Sequence, residues 1–83
     1  MVIDENWAVA PERVRGFFEE IPGAAATEDG FHAEGCQILL TATEGLLLGK
    51  WSMQRTHIRI EGPDDAARAL YRKFFLRFLS AGG

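Results

Sequence analysis

The stretch from Asp64 to about Leu79, DDAARALYRKFFLRFL, constrains this chain more than any other. At about 100° per residue, Ala67, Leu70, Tyr71, Phe74, Phe75 and Phe78 fall on one broad helical face. Arg68, Arg72, Lys73 and Arg77 flank that face or lie behind it. Gly62-Pro63 followed by Asp64 and Asp65 is a start signal, because proline suits the first helical position and carboxylates favour the positive end of the helix dipole. Ser80-Ala81-Gly82-Gly83 is a stop signal. The helix holds three of the six phenylalanines and the only tyrosine. Such a face must be taken out of water, so the rest of the chain is expected to cover it. With 83 residues the chain reads as a single domain, 1–83, burying roughly 60–65% of its unfolded surface, enough for one core.

The cover begins with a second helix at about Pro11 to Ile21, in which Val14, Phe17, Phe18 and Ile21 form a narrow apolar stripe. Ala10 at its cap position offers no side-chain acceptor, while Val9 and Val14 occupy the positions of a hydrophobic staple. Pro22-Gly23 ends it. Residues 1–9 are ambiguous, since Asp4-Glu5-Asn6 interrupts Val2, Ile3, Trp7 and Val9; they read as a flexible tail, a strand, a helix or a covering segment.

From Ala24 the apolar period changes to two. Asp29-Gly30 is a two-residue turn signal that would pair a short strand, Ala24 to Glu28, with one running from Phe31 to Thr43. A bulge at Gly35 would turn Phe31 and Ala33 to the same side as Cys36, Ile38, Leu40 and Ala42. A second turn at Glu44-Gly45 would set Ala42 opposite Leu47, Leu40 opposite Gly49 and Ile38 opposite Trp51. A loop over Ser52 to Arg55 would then set Gly49 opposite Ile58 and Leu47 opposite Ile60. On this register Trp51 is a central core residue, and Gly49 leaves room for Phe74. The expected fold is therefore α+β, a two-layer sandwich. It is a three- to four-stranded antiparallel meander with an N-terminal and a C-terminal helix packed on one face, in the order α-β-β-β-β-α.

The same register has a second face. Arg55, His57 and Arg59 alternate along the last strand, with Lys50 beside His57, and Leu39, Leu46 and Leu48 also point outward. The basic row is a candidate anion-binding surface, but the solvated side of a half-buried sheet explains it more simply. Glu61 continues the row, and no aromatic is interleaved for base stacking. The leucines are harder to dismiss, because three on neighbouring strands can form one patch ringed by Lys50, His57 and Arg59, the layout of a protein interface.

Net charge is −3 and the acids crowd into the first thirty residues, so nothing pulls the whole chain toward nucleic acid or anionic lipid. One cysteine, Cys36, fits a reducing compartment, and its parity points it inward, away from His57. Two histidines and one cysteine at scattered positions form no zinc pattern, and the carboxylates at the start of the last helix occupy the end where a phosphate would bind. No catalytic residues, cofactor or metal are expected. MVIDENW is acidic and unlike a leader peptide, and no apolar run reaches membrane length, so a cytoplasmic protein is expected, with no membrane partner and nucleic acid disfavoured. The reading is a non-catalytic protein-interaction or assembly module, with a homodimer as one form of it. The alternative is binding of an anion, small molecule or nucleic acid through Arg55, His57 and Arg59.

Overall fold

The computed structural model describes the backbone of residues 1–48 and 51–79, and the side chains among these outside 44–54. In chain order it contains β1 (Val2–Trp7), α1 (Pro11–Glu19), β2 (Ala25–Ala26), β3 (Gly30–Ala33), β4 (Cys36–Leu48), β5 (Trp51–Glu61) and α2 (Asp64–Leu79). The strands form one five-stranded antiparallel sheet in the order β1-β5-β4-β3-β2. The α+β two-layer class is as expected. The strand count is higher because residues 2–7, ambiguous in sequence, form an edge strand alongside β5.

The hairpins differ from the sequence reading in instructive ways. Glu34-Gly35 is a tight turn rather than a bulge. Both residues have positive φ, 52° and 78°, and Ala33 pairs with Cys36 across them. That is the backbone of a two-residue hairpin matched to the strand twist. Phe31 and Ala33 are still buried, as expected. The turn expected at Asp29-Gly30 lies one residue earlier, at Glu28-Asp29: Ala26 pairs with Phe31, and the Thr27 amide donates to the Gly30 carbonyl at 2.9 Å. Gly30 is needed there for space, since a Cβ would lie 1.9 Å from the Ile38 carbonyl oxygen.

Glu44-Gly45 is not a turn. β4 runs through it and pairs with β5 along one long hairpin, Gln37 with Glu61 at one end and Leu48 with Trp51 at the other. Between Glu44↔Gln54 and Leu47↔Ser52, β4 advances three residues while β5 advances two, so Gly45 sits beside a bulge. Glycine marks bulges as readily as turns. The middle strand expected at 46–51 is therefore absent: Ile38 faces Ile60, Leu40 faces Ile58, and Trp51 lies far from both. The core position expected for Trp51 belongs to Ile60, and the side chain of Trp51 and the whole of Gly49 lie outside the described residues.

Both helices pack on the sheet face that carries Phe31, Ala33, Cys36, Ile38, Ile58 and Ile60. From α1 come Val14 and Phe18, and from α2 come Ala67, Leu70, Phe74 and Phe78, each at most 3% exposed. Ala10 caps α1 with no side-chain bond, as its chemistry requires. Val9 is buried beside it, and its carbonyl accepts from the Thr56 hydroxyl at 2.7 Å, which satisfies the one buried polar residue of the described core. Phe75, expected on the buried face of α2, instead lies at its rim, 36% exposed. Among the described residues no helix is long and apolar enough to cross a membrane.

Phe74 is fully buried, and truncating a buried Phe typically costs about 3–5 kcal/mol, a large part of a small domain's stability. Phe74→Ala is therefore expected to lower the unfolding midpoint sharply in urea or on heating, with Phe75→Ala costing far less.

Candidate interaction surface

The strand pairings assign every described side chain of the central sheet to a face. On the face away from the helices, β5 contributes Arg55, His57, Arg59 and Glu61. β4 contributes Gln37, Leu39, Thr41 and Thr43, and β1 contributes Val2, Asp4 and Asn6. The expected row of Arg55, His57 and Arg59 is thus assembled as a row, outward. Sequence reasoning missed its β1 neighbours. Val2, Asp4 and Asn6 alternate correctly, but Glu5 falls on the otherwise apolar parity of Ile3 and Trp7 and disguises the strand.

Asp4 pairs with Arg59 and Asn6 with His57. The His57 ring sits between two oxygens: Nδ1 is 2.9 Å from Asn6 Oδ1, and Nε2 contacts Asp4 Oδ1. Arg59 lies 3.9 Å from Glu61. The row is therefore a mixed network rather than a free cationic strip. Leu39 is half-buried within it. The backbone of Leu46 and Leu48 belongs to β4, whereas their side chains, and Lys50 entirely, lie outside the described residues.

Residues 1–9 do not cover this face. β1 adds to its edge, and Trp7 points to the helix side, where its ring meets Phe74 and Phe75 edge-on at 5.1 and 5.7 Å. Both helices lie on that same side, so among the described residues no element covers the outer face.

Cys36 faces the core and is fully buried. His57 is on the opposite face, and His32, paired with Gln37, is outward as well. No thiol–imidazole pair forms. Burial first, then the Glu34 carboxylate, pushes the Cys36 thiol above its ordinary value, which disfavours the thiolate. Among the described residues no three His, Cys, Asp or Glu side chains gather as metal ligands.

Glu5 explains its place on the apolar parity of β1. Its carboxylate accepts from the Tyr71 hydroxyl and, at 3.2 Å, from Trp7 Nε1, tying β1 to α2 at the rim of the core. Burial first, then the hydrogen bond and charge of Glu5, push Tyr71 up to about 12 from an ordinary 10.0. The raised value means the folded state holds this proton more tightly than the unfolded one. Its contribution to stability is complete below pH 10, and is lost as pH rises through about 12. Because Tyr71 is the only tyrosine, an absorbance titration reads it directly: a midpoint near 12 is expected, moved toward the ordinary value by Glu5→Gln. Native Cys36 is expected to react slowly with a thiol reagent and rapidly once unfolded.

A family model described as archaeal MoaD-like protein matches residues 5–83. Comparison with curated proteins and with solved structures finds no significant match.

Proposed function

The chain belongs to the archaeal MoaD-like family, and on that premise we propose that it is a non-catalytic protein-interaction module that meets its partner through the outer face of the sheet. The observation that carries this reading is the one-sided packing. Both helices and Trp7 lie on one side, while the other side is left without a covering element among the described residues. An antiparallel sheet can face water on one side when that side is polar; here Leu39, and in the sequence Leu46 and Leu48, interrupt the polar alternation. Lys50, His57 and Arg59 form the proposed rim. A second copy of the chain is one possible occupant.

Small MoaD-like proteins are typically sulfur carriers rather than enzymes, and they work with partner proteins. Sulfur carriage by this chain would need an attachment point other than Cys36, because a buried thiol with its thiolate disfavoured is a poor nucleophile. Intact-mass analysis of Cys36→Ala purified from its own cells tests this: a sulfur adduct that persists supports carriage elsewhere on the chain, and one confined to the wild type contradicts it.

The anion-binding alternative through Arg55, His57 and Arg59 is weaker. Asp4, Asn6 and Glu61 already engage two of the three, and a surface reading phosphates would be a strip of free cations.

Sedimentation of the purified protein, alone and with proteins that co-purify from its source, checks the interface. Leu39→Glu and Leu48→Glu are expected to reduce association by about tenfold or more, a loss of about 1.4 kcal/mol, with the melting temperature little changed. Association that is unaffected by both substitutions, or that collapses at moderate salt, would overturn the assignment in favour of another face or of the basic row.

A further inference from the structure

The helix layer carries a second surface that the core does not use. Of the large apolar side chains exposed among the described residues, three lie within the last turn and a half of α2: Phe75 at 36%, Leu76 at 60% and Leu79 at 55%. Leu76 and Leu79 are three residues apart and Phe75 and Leu79 four apart, so they adjoin on the helix surface. Leu76 and Leu79 lie on the ridge opposite Ala67, Leu70, Phe74 and Phe78, the face already committed to the core, and Phe75 lies between that ridge and the core face.

The ridge is basic along its length. Beyond Asp65, α2 carries Arg68, Arg72, Lys73 and Arg77 and no acid, in a chain whose net charge is −3. Lys73 is 3.1 Å from Glu34. Among the described residues no carboxylate lies within ion-pair distance of Arg68, Arg72 or Arg77. Arg68 and Arg72 precede Leu76 at four-residue steps, so these two cations share one line with the leucines, while Lys73 and Arg77 lie on the other flank.

We propose that this ridge, Leu76 and Leu79 with Phe75 at its edge and Arg68 and Arg72 along it, docks an acidic amphipathic segment of a partner protein, with apolar side chains against the leucines and carboxylates against the arginines. The charge argues for this occupant over two others. A second copy docking ridge to ridge around a two-fold axis would bring like charges together. An anionic membrane would attract the arginines, but the broad apolar face that an interfacial helix inserts is here buried in the protein, leaving three side chains. The surface lies on the helix side, opposite the proposed sheet interface, so the two proposals stand or fall separately.

The test is an NMR titration of the isotope-labelled protein with three probes. These are a synthetic amphipathic helix of leucines at helical spacing with glutamates between them, its twin with lysines for the glutamates, and phosphatidylglycerol vesicles. The glutamate peptide is expected to shift the resonances of Phe75, Leu76 and Leu79. Arg72→Glu and Leu76→Glu should each weaken it about tenfold or more, with the melting temperature unchanged, while Leu39→Glu leaves it unaffected. Equal binding of the lysine peptide, binding to vesicles but not to the glutamate peptide, concentration-dependent shifts on α2 without any peptide, or no shift with any probe would each overturn the proposal.

Discussion

Phe74 is the contact on which the rest of the structure depends. Its ring lies 5.1 Å from Trp7 of β1, 5.6 and 6.0 Å from Phe17 and Phe18 of α1, and 4.8 Å from Phe78 one turn along α2. The first strand, the first helix and the last helix therefore meet at one side chain, and Phe18 extends the stack to Phe31 of β3 at 5.9 Å. Edge-to-face and offset aromatic pairs add modestly to the large area each ring buries. Their geometry also fixes orientation: with Trp7 held against Phe74, Ile3 falls on the same helix-facing side of β1. The opposite side of β1, with Asp4 and Asn6, then falls beside Arg59 and His57.

That chain of consequence explains what was legible in the sequence. Helical period and terminal signals located α2 to the residue, and located α1 to within two residues of its end, because Pro, Asp and Gly act locally. The Phe31/Ala33/Cys36/Ile38 face was legible because a period of two survives a tight turn as well as a bulge. The long hairpin was not. Glu44-Gly45 satisfies the local rule for a reversal, and the resulting register buried apolar residues consistently. The competing register, with Ile38 opposite Ile60 and Leu40 opposite Ile58, buries them too, and is chosen by contacts distant in sequence. β1 was obscured by Glu5, whose place makes sense only once Tyr71 and Trp7 are seen to donate to it.

The candidate surface was legible to a similar degree. His57 and its arginine neighbours were expected outward, and they are outward. The acceptors that engage His57 come from a strand about fifty residues away in sequence, and no local pattern could join the two. The result is a sheet face in which charge is paired across strands and apolar groups stand among it, which suits recognition of a shaped protein surface better than attraction of a polyanion. The helix layer differs, because its arginines are not answered within the described chain. A small module with two chemically unlike sides can engage two partners, or two parts of one.

The central claim is the β4–β5 register, which sets Leu39 beside Arg59 and Thr41 beside His57 on the outer face. A nuclear Overhauser experiment on isoleucine-methyl-labelled protein tests it most directly. The account predicts cross-peaks between Ile38 and Ile60, and between the β1 and β5 backbones at Asp4 and Arg59. Contacts from the Ile38 methyls to the indole of Trp51, with none to Ile60, would contradict it and would place another strand between residues 38–42 and 56–60, parting Leu39 from Arg59.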